Sequence, residues 1–123
     1  VVEGGWDPPS GDVGLHTLLD RDPDIDAVFV SNDQMALGAL QAARRLDLKI
    51  PEDLGIVGFD DIPEAAYFYP SLTTMRQNTR QLGAMAVERM SELIKVQQSG
   101  ETLEPDISWL ESLLIVRKSS VRK

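Results

Sequence analysis

The chain has 123 residues, a formal net charge of −8 and no cysteine. The length is enough for about one domain, and the absence of cysteine excludes disulfides and thiolate metal sites. A surface this acidic repels phosphate backbones, so the chain itself is not expected to bind nucleic acid. No apolar run approaches the roughly 18 residues that a membrane-spanning helix needs. The chain opens inside an apolar run without Met, which favours a fragment of a longer protein.

The first predicted element is a helix from Pro8 to about Leu19. Asp7 precedes Pro8 and is placed to cap this helix, and proline is favoured at the first helical position. Leu15 and other leucines share one helical face, whereas His16 lies roughly 100° away from it. His16 is therefore predicted to be exposed, and no metal or catalytic role is expected for it.

Strand-like and helical patterns then alternate along the chain. They predict strands over 26–31, 54–60 and 72–77, helices over 33–46 and 79–98, and a closing strand or strand pair within 107–118. Gly100 is expected to end the second of these helices. Because the strands are almost continuously apolar, the pattern is typical of a parallel sheet covered on both faces. The predicted fold class is an open, mostly parallel α/β sheet with helices on both faces.

Polar and aromatic side chains follow three successive strands. Trp6 follows a short strand at the start of the chain, Asn32 and Asp33 follow the next strand, and Asp60 and Asp61 the one after it. Open parallel sheets bind ligands beyond the carboxyl ends of their strands. An indole face can cover a sugar ring, and carboxylate and amide groups can bind its hydroxyls. These positions predict a binding site for a small polyhydroxylated ligand.

Structural interpretations of the same residues remain open. Asn and Asp are favoured helix caps, and for Asp33 capping is the preferred interpretation. Trp6 could be a core residue, and Asp61 could cap a turn or face water. No Gly-rich phosphate loop, nucleophile elbow or paired catalytic base is present, so we expect no enzyme and no cofactor or metal.

A candidate subunit interface lies on the helix over 33–46 and on the loop after the next strand. Leu37 falls roughly 140° from the centre of the helix's apolar arc, with Gln41 beside it. Tyr67 and Phe68 belong to an aromatic cluster in the loop, and aromatic side chains are enriched at interface centres. These residues predict a homodimer.

Three motifs carry a family resemblance: "SNDQMALGAL", "IPEDLGIVGFDD" and "YPSLTTMRQNTRQLGAMAVERM". In this order and spacing they resemble the C-terminal lobe of the lactose-repressor/galactose-repressor (LacI/GalR) family of bacterial transcription regulators. The resemblance implies a periplasmic-binding-protein-like fold of type I with an effector in the cleft between two lobes. Trp6, Asn32, Asp60 and Gln77 resemble effector-contacting positions of the family. Leu37 and Phe68 match positions used in the family's dimer interface.

The resemblance also implies what this chain lacks. The operator-binding helix-turn-helix and the N-terminal lobe are absent, so residues 1–118 are expected to form an incomplete C-terminal lobe and 119–123 a tail. The basic end "VRKSSVRK" is interpreted as solvated rather than as a DNA arm. The strand over 72–77 is expected to lack a pairing partner. The predicted function is effector binding and dimerisation within a cytoplasmic regulator, with a sugar as the favoured effector. A periplasmic sugar-binding protein of a transport system is the alternative.

Overall fold

A computed structural model of the chain describes residues 1–100 and 106–122. It divides into two units, the first built from residues 1–76 and the segment from Leu113 onward, the second from residues 77–112. The expectation of one lobe over 1–118 stays a prediction.

A four-stranded sheet lies at the centre of the first unit. In spatial order its strands are β1 (Ala27–Phe29), β2 (Gly55–Asp60), β3 (Thr73–Arg76) and β4 (Leu113–Ile115). The first three strands run parallel and β4 runs antiparallel to β3, which confirms the predicted open, mostly parallel α/β sheet. Because β1, β2 and β3 end at the same side of the sheet, the residues that follow them lie along one line. We call this line the carboxyl rim.

Two helices of the first unit pack against each other. They are α1 (Pro8–Arg21) and α2 (Asp33–Arg45), and α2 also contacts β2. A Cβ atom at Gly11 would overlap the carbonyl oxygen of Met35, and one at Gly38 would overlap that of Pro8. The two helix backbones therefore touch, which only glycine permits at these positions.

The predicted cap of α1 is confirmed. Asp7 Oδ1 accepts a 3.0 Å hydrogen bond from the backbone N–H of Ser10. After β2 the chain forms a short 3-10 turn (Pro63–Tyr67). Ala65 of this turn is fully buried, and its carbonyl oxygen accepts a hydrogen bond from Leu72 N at 2.9 Å. The turn therefore folds back onto the start of β3.

The closing segment of the chain corrects two expectations. β3 does not have an unpaired edge, because β4 pairs with it. Ser119 is fully buried rather than solvated, since its hydroxyl donates to Ile56 O at 2.6 Å and accepts from Thr73 N at 2.8 Å. Its backbone also bonds β2, with Ile56 N donating to Ser119 O at 2.8 Å. The tail predicted from residue 119 therefore begins with a buried residue that is hydrogen-bonded to the starts of both β2 and β3.

The second unit contains one long helix, α3 (Thr79–Ser99). Asn78 Oδ1 accepts from Gln81 N at 3.1 Å, and Gly100 ends the helix in the left-handed conformation with φ 79°. No residue of α3 is buried, and its apolar residues Leu82, Met90 and Ile94 are exposed. Within residues 1–100 and 106–122, no helix has the length and apolar character needed to cross a membrane.

Candidate functional site

The short strand expected before Trp6 is absent, because residues 1–5 form no strand, and Trp6 lies in the loop before α1 with its ring presented to solvent. The residue is 68% exposed, which rules out the alternative of a core tryptophan. Its φ of 67° is unusual for a bulky side chain, because the left-handed region brings Cβ close to the backbone. Asn32 Nδ2 donates a 3.1 Å hydrogen bond to Trp6 O and holds this peptide in place. Strained backbone of this kind is concentrated at binding sites.

Asn32, not Asp33, caps α2. The Asn32 backbone is extended, as a helix cap requires, and its Oδ1 accepts from Met35 N at 2.8 Å. The expectation that Asp33 is the cap is therefore wrong. Only 7% of Asn32 is exposed. Its side-chain oxygen caps α2, and its side-chain nitrogen binds the Trp6 peptide. Its clearest structural task is to join the Trp6 loop to the start of α2.

Asp33 is fully buried beneath the rim. Its Oδ1 accepts from Thr74 Oγ1 at 2.6 Å, and its Oδ2 accepts from Ile62 N at 2.9 Å. Burial raises the pKa of Asp33, because it disfavours the charged form more than the hydrogen bonds from Thr74 and Ile62 favour it. A Cβ atom at Gly58 would overlap Asp33 Oδ1, so the glycine leaves room for this carboxylate.

Asp60 and Asp61 form the turn at the end of β2. Both have positive φ, 116° for Asp60 and 57° for Asp61, and Asp60 is exposed at the rim. The Asp61 side chain is only 5% exposed and bonds Arg117 Nη2 at 2.7 Å and Arg76 Nε at 2.5 Å. Burial alone would raise the pKa of Asp61, but the hydrogen bonds and charges of Arg117 and Arg76 prevail and lower it. Asp61 therefore supports the turn, and Asp60 is the acid presented to solvent.

Asn32 and Asp60 lie at the carboxyl ends of the neighbouring parallel strands β1 and β2, and Asn32 binds the Trp6 peptide. That Trp6, Asn32 and Asp60 form one site stays a prediction. Gln77 is half-buried and belongs to the second unit, so its place beside them stays a prediction. A cavity of about 380 Å³ lies between α1 and β1, and it includes Trp6 but not Asp60. This cavity is lined largely by apolar side chains of α1, β1 and α2, and it meets the rim only at Trp6 and Ser31.

The predicted interface residues occupy the surface of the first unit. Gln41 and Tyr67 are exposed, and Leu37 is half-buried on α2. Phe68 packs in part against the buried core. Their participation in a dimer stays a prediction.

In the described part of the chain, no group of three or more His, Asp or Glu side chains could hold a metal ion. The His16 side chain is 45% exposed and lies 3.5 Å from Asp12 on the same helix.

Sequence reasoning missed three polar residues that support the rim: Thr74, Arg117 and, in its actual role, Asp33. Their partners lie far away in the chain: Asp33 and Thr74 are 41 positions apart, and Asp61 and Arg117 are 56 positions apart. The one local signal was the pair of acids after the strand over 54–60. A carboxylate of such a pair that becomes buried needs a charged or hydrogen-bonding partner, but the sequence does not show which acid is buried or which residue is its partner.

The chain matches known proteins along nearly its full length. Residues 3–120 match the family model of the periplasmic binding protein-like domain. The HTH-type transcriptional regulator CelR of Thermobifida fusca is 39% identical over 119 residues, which are 97% of this chain and 34% of that protein. The HTH-type transcriptional repressor PurR of Photorhabdus laumondii is 37% identical over 105 residues, 85% of this chain and 31% of the repressor. The chain thus spans about one third of the length of these relatives.

Solved structures of regulators share the fold. A complex of the transcriptional regulator CelR with cellobiose matches with a TM-score of 0.79 and 38% identity, over 95% of this chain and 35% of that one. The lac repressor dimer bound to operator and the anti-inducer ONPF matches with a TM-score of 0.82 and 32% identity, over 98% of this chain and 40% of the repressor. The chain therefore belongs to the LacI/GalR family of transcriptional regulators and carries their periplasmic-binding-protein-like domain in part.

Proposed function

We propose that this chain is the effector-binding and dimerising part of a bacterial transcriptional regulator, and that the effector is a sugar. One observation carries the proposal: Trp6, whose carbonyl oxygen is bound by Asn32 after β1, and Asp60, at the end of the neighbouring strand β2, both have positive φ and are both exposed. Strained backbone is enriched at ligand-binding sites, which favours a binding role for these two residues. Asn32 and Gln77 are proposed to add polar contacts.

The chemistry of these side chains suits a sugar. The indole of Trp6 offers an apolar face for the C–H side of a sugar ring, and the Asp60 carboxylate accepts hydrogen bonds from hydroxyls. A hydrogen bond to a charged group contributes about 1.5–3 kcal/mol. Two or three of them with a covered ring would suffice for micromolar binding, which corresponds to about −8 kcal/mol. The similarity to CelR, solved with cellobiose, makes a disaccharide of this type the first candidate.

We propose that effector binding to this chain changes the affinity of the whole regulator for its operator DNA. We place the dimer interface on Leu37 and Gln41 of α2 and on Tyr67 and Phe68 after β2. Operator DNA is contacted by a domain outside this chain, in the cytoplasm, and neither a cofactor nor catalysis is involved. The effector shifts the regulator between two states only by its differential affinity for them, typically about 1–3 kcal/mol.

The test is Asp60→Ala in the full-length regulator. We expect operator binding to be retained and the response to effector to be lost, because Asp60 contacts the effector and not the DNA. Asp53→Ala is the control, since Asp53 accepts a hydrogen bond from Lys49 N at 2.8 Å before β2 begins, away from the rim. A normal effector response in Asp60→Ala would refute the proposed site.

A further inference from the structure

We propose that Asp33 is the positioning residue of the effector site, fixing the Asp60 turn relative to the Trp6 loop without contacting the effector. The inference rests on the proposed function, in which Trp6 and Asp60 bind the effector. It assigns a role to a carboxylate that neither caps a helix nor reaches the surface.

Asp33 is excluded from direct contact by its surroundings. It is fully buried, and each of its carboxylate oxygens already accepts a hydrogen bond, one from Thr74 Oγ1 and one from Ile62 N. Gly58 of β2 lies against the same carboxylate. Any influence of Asp33 on a ligand therefore passes through the residues that it holds.

The Asp60 turn requires such an anchor. Asp60 and Asp61 both occupy positive φ, a conformation that persists only where surrounding contacts enforce it. Asp33 Oδ2 accepts a 2.9 Å hydrogen bond from the backbone N–H of Ile62, the residue that follows this turn. Thr74 of β3 links Asp33 to the same turn, because its hydroxyl donates a hydrogen bond to Asp33 and accepts one from Asp61 N at 3.4 Å.

The start of α2 thereby holds both loops of the proposed site. Asn32 binds the Trp6 peptide, and the adjacent Asp33 binds the peptide of Ile62. Because the two residues are consecutive and their helix is packed on α1 and β2, the spacing of Trp6 and Asp60 is set by one rigid element.

Three variants distinguish a role of Asp33 in positioning the effector site from a role in the stability of the fold alone. Asp33→Ala removes both hydrogen bonds. Asp33→Asn is the conservative rescue, because its carbonyl can accept from Ile62 N while its amide donates to Thr74 Oγ1. Ser119→Ala is the matched control, because it removes a buried hydroxyl with two partners at the other end of β2 and β3.

The first readout is the dissociation constant for cellobiose, measured by calorimetry on each variant alongside its melting temperature. We expect Asp33→Ala to weaken binding at least tenfold, Asp33→Asn to stay within threefold of the unaltered chain, and Ser119→Ala to stay within twofold despite a comparable loss of melting temperature. Equal affinities for Asp33→Ala and Ser119→Ala would overturn the inference, as would an Asp33→Asn variant as weak as Asp33→Ala.

The second readout needs no ligand. Amide hydrogen exchange at Ile62 is compared with exchange at Val30, whose N–H donates to Val57 O inside the sheet. In Asp33→Ala the Ile62 amide should exchange at least tenfold faster relative to Val30, and an unchanged ratio would overturn the inference. The calorimetry uses the full-length regulator. If the unaltered regulator fails to bind cellobiose, cellobiose is refuted as its effector, and the exchange ratio still decides whether Asp33 orders the turn.

Discussion

Arg117 and Asp61 form an ion pair between the closing segment of the chain and the turn that carries Asp60. Arg117 Nη2 lies 2.7 Å from Asp61 Oδ1, and the two side chains are 17% and 5% exposed. The same guanidinium donates to Leu72 O at 2.7 Å. One arginine near the chain end thus ties the rim turn to the start of β3.

Asp61→Asn should destabilise the first unit by about 1–3 kcal/mol at pH 7, because Arg117 loses its charged partner. The pKa of Asp61 is lowered in the folded state, so its stabilising effect is present above the ordinary value of 3.8 and is lost as the pH falls through the folded pKa. Urea unfolding from pH 7 down to pH 3 should therefore show the variant and the unaltered chain converging at the acid end. The exposed Asp24→Asn serves as control, and a constant difference at every pH would contradict this prediction.

Asp33→Asn should show the opposite pH dependence. The pKa of Asp33 is raised by burial, so its contribution is greatest below the ordinary value of 3.8 and is lost as the pH rises through the folded pKa. Relative to Asp33→Asn, the unaltered chain should lose stability as the pH rises above 3.8, because a buried carboxylate becomes charged. The same urea series measures this, and a relative gain in stability with rising pH would show that the sign is wrong.

Ser119→Ala should cost about 1–3 kcal/mol, because it leaves the buried Thr73 N–H without its partner. Deleting residues 119–123 should cost more, since Ile56 N also loses its acceptor. Urea unfolding of both variants, with the exposed Ser112→Ala as control, measures the difference. A deletion variant as stable as the intact chain would mean that the end of the chain is a dispensable tail.

Two glycines of α1 provide a matched pair. Gly11→Ala should destabilise by about 1–3 kcal/mol, because the added methyl group overlaps the backbone of Met35 and forces the helices apart. Gly14→Ala should stabilise by about 0.5–1 kcal/mol, because nothing lies within 4 Å of the new methyl group and alanine favours the helix. Thermal unfolding distinguishes them, and equal effects would contradict the close contact of α1 and α2.

Local signals predicted the elements well. The caps at Asp7 and Asn78 and the stop at Gly100 depend on neighbours within a few residues, and the sequence contains that information. Asp33 was misassigned because Asn32 beside it satisfies the same capping pattern, and only the folded chain shows which of the two faces the helix amides.

Long-range contacts could not be predicted in this way. Ser119 lies 46 residues from Thr73 and 63 from Ile56, so no local pattern distinguishes it from a solvated serine. The pairing of β4 with β3 likewise depends on where the chain returns after the second unit. The strand ends indicated Trp6, Asn32 and Asp60, and the resemblance indicated the family and Gln77, but neither indicated the long-range contacts that hold the Asp60 turn.

The most direct test of a shared site at Trp6 and Asp60 is a fluorescence titration with cellobiose in a Trp109→Phe background, where Trp6 is the single tryptophan of this chain. We predict a saturable change in Trp6 emission, and a midpoint shifted at least about tenfold by Asp60→Ala, because a hydrogen bond to a carboxylate is lost. A saturable Trp6 signal whose midpoint is the same in Asp60→Ala would show that the indole and the carboxylate serve different surfaces.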